Sequence, residues 1–138
     1  MRITVLGAAG SAGSRIVTEA LSRGHQVTAV VRSEEKFQQL PNEAVKRLGD
    51  ASRVEEVIAL SKNQDVVISA TRPPEGQEQK LVNISQSLLT GLAQTKVRLI
   101  AVGGAGSLSV ADKIDTLVVD DPRYVSPAWR DIAVACVD

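Results

Sequence analysis

Gly7, Gly10 and Gly13 recur at every third position in the stretch Gly7-Ala8-Ala9-Gly10-Ser11-Ala12-Gly13, directly after the apolar run Ile3-Thr4-Val5-Leu6. A buried strand that turns through small residues into a helix leaves the helix's first N–H groups unpaired, with the positive end of its dipole facing outward. A dinucleotide pyrophosphate fills such a site. In that role Gly7 permits the tight turn, Gly10 the close approach of backbone to pyrophosphate, and Gly13 the close contact of helix and strand; Ala9, Ser11 and Ala12 complete the cradle. The spacing G-x-x-G-x-x-G differs by one residue from the G-x-G-x-x-G fingerprint. A glycine-rich turn that binds nothing would look similar, and context decides against it: a strand precedes the loop, an amphipathic helix follows, and a second strand comes at the expected distance.

A second chemical signal stands at the end of that next strand. An acidic residue about 20 positions beyond the glycine loop binds the ribose 2′-hydroxyl of NAD, and here the position is Arg32. A guanidinium matches a 2′-phosphate with paired hydrogen bonds and stacks on adenine, which favours NADP(H). Ser33 adds a possible hydroxyl contact, and Glu34 keeps NAD(H) open. The plain alternative for Arg32 is a solvated residue ending a strand. Arg15, just inside the first helix, is equally a second phosphate partner or a surface arginine.

The elements that must position these residues follow from hydrophobic period and from glycine and proline punctuation. Ile16, Val17, Ala20 and Leu21 share one face of a helix over 14–23, ended by Gly24. Residues 26–32 form a near-continuous apolar strand, as befits a strand covered on both faces. A short helix over 33–40 stops at Pro41, and Ala44–Leu48 gives a third strand ending at Gly49-Asp50. Ser52 is a candidate cap for a helix through Val54, Val57, Ile58 and Leu60, and residues 65–70 are the fourth strand. Pro73-Pro74 make 71–76 a loop; a helix from Gln77 to about Ala93 carries Leu81, Ile84, Leu88 and Leu92 on one stripe. The fifth strand, 97–102, discharges into a second glycine-rich loop, Gly103-Gly104-Ala105-Gly106-Ser107-Leu108. Beyond it the reading is ambiguous: Thr116–Val119 suits a short strand, and Pro127 suits the start of a helix through Ile132 and Val134. The expected architecture is α/β, a doubly wound parallel sheet of order 3-2-1-4-5 in three layers, with its ligand crevice at the carboxyl edge.

Composition narrows the function. The 138 residues suit one domain, 1–138, with one sizeable core. Lysine plus arginine equals aspartate plus glutamate at 16 each, which gives no basic field for nucleic acid, so small-molecule partners are expected. A single cysteine, Cys136, allows no internal disulfide. No apolar run approaches the roughly 20 residues of a membrane span, and the first residues enter a strand without a signal-peptide pattern, so a cytoplasmic location away from membranes is expected. His25 falls at the amino edge, opposite the crevice, and reads as a turn residue. Cys136 reads as packing. Asp120-Asp121 before Pro122 read as a solvated turn, and no metal is expected.

GAAGSAGSRIV, RGHQVTAVVR, Gly49-Asp50 and VGGAGSL together resemble the NAD(P)H-binding, NmrA-like branch of the atypical short-chain dehydrogenases. Many members are described as candidate NADH-flavin reductases, and biliverdin/flavin reductase is a more distant relative. The resemblance covers nearly the whole chain and implies a Rossmann fold with a bound nicotinamide dinucleotide. The family usually continues past position 138 with a sixth strand and a small region covering the substrate, so the chain looks truncated at its C-terminus.

The resemblance also places residues. Asp50 matches an aspartate at the adenine rim, where it would accept from the exocyclic amine; a local helix cap is the equal alternative. Ala70 and Thr71 would line the ribose and nicotinamide, and Gly103 with Gly104 would let the ring lie close to backbone. Arg72 and Ser107 are candidate substrate contacts, Arg72 for an acidic or phosphorylated one. A short-chain dehydrogenase of the common kind uses a Tyr-x-x-x-Lys pair for proton transfer, but Tyr124 is followed four positions later by Ala128. A flavin, FMN or FAD, or another conjugated acceptor suits such a site, because it can take its proton from solvent. Two readings follow: an NAD(P)H-dependent oxidoreductase of flavin-reductase type, or an NmrA-like sensor that binds NADP(H) without turnover. A third, an inactive fragment, predicts apolar surface exposed beside the fifth strand and self-association, so a homo-oligomer stays open.

Overall fold

The computed structural model describes residues 1–138, which divide into two compact units: Met1–Arg72 with Ile84–Val102, and Pro73–Asn83 with Gly103–Asp138.

In the first unit the chain runs β1 (Arg2–Leu6), α1 (Ser11–Ser22), β2 (Gln26–Val31), β3 (Val45–Leu48), α2 (Val54–Ser61), β4 (Val66–Ser69), α3 (Lys80–Thr95, whose first turn belongs to the second unit) and β5 (Arg98–Ala101). All five strands are parallel, in the order β3-β2-β1-β4-β5. This is the expected Rossmann-like sheet. Val5 stands opposite Ala29 and Ile68, so β1 is the central strand. One core layer gathers Val5, Val17, Ala20, Ala29 and Val31 beneath α1; the other gathers Leu6, Val30, Val57, Val67, Leu88 and Leu92 against α2 and α3. Covering on both faces is why β1 and β2 need near-continuous apolar sequence. Val5, Leu6, Val17, Val30 and Val57 are almost wholly buried, each contributing about 1.5–3 kcal/mol of transfer free energy. Thr4, the polar member of β1, donates its hydroxyl to the Leu60 carbonyl at 3.0 Å.

Several boundaries differ from those expected, for local reasons. α1 begins at Ser11, drawing the last glycine of the loop into its first turn, and Gly24 ends the turn beyond it at φ +77°. Segment 33–40 is a 3-10 helix over Glu34–Gln39 with no buried residue, so no apolar stripe supports a full α-turn. Ser52 does not cap α2. Its hydroxyl donates to Asp50 at 2.7 Å, and Arg53 is the helix's N-terminal boundary, without a side-chain cap. In α3, Leu88 and Leu92 are buried and Gly91 passes within 2.8 Å of the Val57 methyl measured from a would-be Cβ. At the β5 edge Ile100 and Val102 are exposed, as are Val45 and Leu48 at the β3 edge.

The second unit holds an antiparallel hairpin of β6 (Ser109–Val110) and β7 (Lys113–Leu117), and α4 (Arg130–Ala135). The expected strand over 116–119 therefore lies three residues earlier, and Val118–Asp120 forms a 3-10 turn. Pro127 opens a 3-10 turn that leads into α4, through Ile132 and Val134 as expected. Of the Asp120-Asp121 pair, expected to form a solvated turn, Asp120 is exposed and Asp121 is not. Asp121 is 3% exposed, and Arg123 donates to it through Nη2 at 2.8 Å and to Asp112 through Nη1 and Nη2 at 2.9 Å. Lys113 Nζ stands 3.6 Å from the same carboxylate. A buried charge needs such partners; Arg123 comes from the turn itself, where its N–H also donates to Asp121 at 3.0 Å, and Lys113 comes from β7. No helix is long and apolar enough to cross a membrane.

Candidate functional site

β1 ends at Leu6 and the chain turns at Gly7, whose φ of +77° is left-handed and strained for any residue with a side chain. A Cβ on Gly7 would stand 2.6 Å from the Ala70 carbonyl oxygen and 3.1 Å from the Thr71 nitrogen. The loop is thus packed on the backbone at the carboxyl end of β4. Gly13 is buried, and a Cβ there would collide with the Gly7 carbonyl. Gly10 is different: it is exposed, and just one atom, the Gly7 carbonyl oxygen at 3.2 Å, comes near its would-be Cβ. Hydrogen bonds from Ala8 N to Val30 O (3.1 Å) and from Gly10 N to Gly7 O (3.0 Å) fix the turn.

Gly10 precedes α1 with no side chain to cap it, so the amides of Ser11, Ala12 and Gly13 keep the positive end of the helix open. Ala8 is buried, Ala9 half-buried, and Ser11 and Ala12 exposed. Arg15, one turn on, donates through Nη1 to the Ser11 carbonyl oxygen (2.7 Å) and to Ser11 Oγ (2.8 Å), which holds its charge beside that first turn. These features fit a pyrophosphate: a loop without carboxylates, two glycines closed against backbone, and a third that is exposed with one tight backbone contact.

The other sequence candidates of this unit gather at the same carboxyl edge. Arg32 and Ser33 are exposed just past the end of β2. Asp50 follows β3 and is half-buried; its Oδ1 accepts from Ser52 Oγ (2.7 Å) and Ser52 N (2.9 Å). Those two hydrogen bonds, with the charges of Arg32 and Arg53, hold its carboxyl below the usual range. Of the two roles weighed for Asp50, the visible one is local: it braces the turn that leads into α2. Ala70 N donates to Leu6 O at 2.9 Å, and the hydroxyls of Ser69 and Thr71 meet at 3.0 Å. Arg72 is exposed at the end of this unit.

Gly103, Gly104 and Ser107 belong to the second unit. All three are exposed. A Cβ on Gly103 meets nothing within 4 Å, and one on Gly104 makes ordinary 3.6 Å contact with Cys136. The glycine that this loop requires is Gly106, buried 3.0 Å from a Val137 methyl and 3.1 Å from the Ala133 carbonyl by the same measure. Sequence reasoning passed over it, because nothing local marks which of three neighbouring glycines α4 will cover. It also passed over Ser69 and the Arg15–Ser11 link. A serine closing the apolar run Val66-Val67-Ile68 was the available signal for the first.

His25 lies at the opposite, amino edge, with Nδ1 3.3 Å from the N-terminal amine. Cys136 is half-buried at the end of α4. Tyr124 is exposed, with the Arg123 guanidinium 5.5 Å from its ring centre.

Residues 7–131 match a family described as NAD(P)H-binding. A curated relative, the uncharacterized protein YwnB of Bacillus subtilis (strain 168), is 36% identical over 125 residues, 90% of this chain and 57% of that protein. A crystal structure of a candidate exported protein from Burkholderia pseudomallei is 34% identical with a TM-score of 0.81, covering 100% of this chain and 63% of that one. A candidate NADH-flavin reductase from Streptococcus pneumoniae is 31% identical with a TM-score of 0.79, covering 99% and 62%. The chain therefore spans less than two thirds of the length of each of these relatives.

Proposed function

The chain belongs to the NAD(P)H-binding family, and from that premise we propose that it is an NAD(P)H-dependent oxidoreductase, with NADP(H) preferred, whose hydride acceptor is a flavin or a similar conjugated small molecule. The observation that carries this reading is the loop over 7–13, closed on Ala70 and Thr71 by Gly7 and exposed to solvent at Gly10. When bound, the reduced dinucleotide supplies the hydride.

The protein's own residues bind and orient. The α1 amides hold pyrophosphate by hydrogen bonding and dipole, Arg15 adds a fixed positive charge, and Arg32 meets a 2′-phosphate where a carboxylate would repel it. Asp50 serves the adenine end through its local carboxylate. Thr71 serves the nicotinamide end, with Arg72 toward an acceptor. Tyr124 has Ala128 four positions on and so forms no Tyr-x-x-x-Lys pair, which agrees with an acceptor protonated from solvent. The S. pneumoniae relative, described as a candidate NADH-flavin reductase, supports the choice of acceptor.

The same missing pair favours a second reading, an NADP(H) sensor without turnover. One assay separates them. Steady loss of NADPH absorbance on adding FMN or FAD, abolished by Gly10→Val, is the expected result; tight NADPH binding with no consumption would establish the sensor.

A further inference from the structure

We infer that Ser69 is a positioning residue for the dinucleotide site, holding the Thr71 hydroxyl as a donor toward an acceptor oxygen of the bound nucleotide. The inference rests on the cofactor reading above.

Ser69 is the last residue of β4, in register with Leu6 on one side and Ala101 on the other, and it is 5% exposed. Its Oγ lies 3.0 Å from Thr71 Oγ1, the hydrogen-bond partner of that buried hydroxyl. Thr71 is half-buried, and its backbone nitrogen closes on Gly7. The hydroxyl pair therefore stands at the foot of the loop that cradles pyrophosphate.

Two hydroxyls carry two hydrogens, and one contact between them uses one. Were Thr71 the donor, the Ser69 hydrogen would be shut away from solvent without an acceptor, and an unsatisfied buried donor is costly. Were Ser69 the donor, its hydrogen is used, and the Thr71 hydrogen is left for a second acceptor or for the solvent that reaches this half-buried residue. This second arrangement satisfies both groups. It makes Thr71 a donor in one direction, so the ligand atom it selects is an acceptor: a phosphate, ribose or carboxamide oxygen. It also explains why a serine ends a strand that is otherwise Val66-Val67-Ile68, where an alanine would bury no polar atom.

The test is a double-mutant cycle on dinucleotide affinity, read by nicotinamide fluorescence with NADPH, with ligand-free melting curves taken for each variant. Thr71→Val is expected to weaken binding by about tenfold, and Ser69→Ala by about threefold, in keeping with the loss of single neutral hydrogen bonds. In the Thr71→Val background, Ser69→Ala should change nothing further, and Ser69→Thr alone should bind like the wild type. Equal loss from Ser69→Ala in both backgrounds, or no loss in either, would overturn the positioning role while leaving the cofactor reading intact. Failure of the wild-type protein to bind either NADPH or NADH would instead overturn the cofactor reading, and this inference with it.

Discussion

The chain carries two glycine-rich loops after two parallel strands, and they are glycine-rich for opposite reasons. In the first, Gly7 and Gly13 lie against backbone that cannot yield: the Ala70 and Gly7 carbonyls. Gly10 is left facing outward, and that combination of a closed turn with an open face is what a phosphate requires. In the second, Gly103 has free space around it and Gly104 ordinary contact, while Gly106 is buried beneath the end of the chain. Its closeness serves packing within the second unit. The lesson is that a glycine motif has the meaning of whatever a Cβ would meet there. Backbone on one side with solvent on the other marks a ligand loop, and burial on every side, as at Gly106 between Val137, Val119 and the Ala133 carbonyl, marks a core.

The largest effect that would sharpen this contrast comes from Gly13→Val. Overlap with the Gly7 carbonyl forces the loop apart and costs about 3 kcal/mol or more; the variant should melt far below wild type and bind no dinucleotide. Next comes Arg32→Glu, which leaves the loop whole and reverses the charge at the end of β2. Loss of charge-assisted bonds to a 2′-phosphate should weaken NADPH by about 10- to 100-fold and leave NADH within about threefold. Smaller still is the second loop. Gly106→Ala should lower stability by about 1–2 kcal/mol through overpacking, seen in a denaturant melt, whereas Gly103→Ala should be neutral to within about 0.5 kcal/mol. If Gly103→Ala is the more damaging of the two, the comparison is broken.

Both units hold carboxyls lowered below their usual range, the second most strongly, at Asp121. The Arg123 hydrogen bonds hold Asp121 well below the usual carboxylate range, and they lower Asp112 as well. A carboxyl depressed in the folded state contributes stability that is present above its ordinary pKa of about 4 and is lost as pH falls through that value toward the folded one. The melting temperature should therefore fall between neutral pH and pH of about 3. Asp121→Asn should reduce the stability at neutral pH and flatten that dependence. An unchanged slope would show that the lowered carboxyls of Asp50 and Asp65 in the first unit set the acid response instead.

Legibility in the sequence follows the same division. In the first unit β1, β2 and β4 could be read because they are covered on both faces and because Gly7, Gly24, Pro41 and Gly49 fall between elements; strand order, direction and the position of the glycine loop came from that pattern. The hairpin of β6 and β7 could not, since Lys113, Ile114 and Asp115 are all exposed and no alternation betrays the strand. Asp121 was misjudged because burial of a carboxylate depends on Arg123 and Lys113 reaching it, and adjacent acidic residues before a proline ordinarily mark solvent. Ser52 looked like a cap but bonded backward to Asp50, a competition that short polar side chains often win near helix starts. Ser69 required knowing which face of β4 would be closed.

The most direct measurement is a parallel fluorescence titration of the protein with NADPH and NADH. The account predicts saturable binding of both nucleotides with NADPH the tighter, because the loop over 7–13 holds the pyrophosphate they share and Arg32 meets the phosphate that only one carries. Binding of neither would contradict the cradle itself, and tighter binding of NADH would contradict the assignment of Arg32.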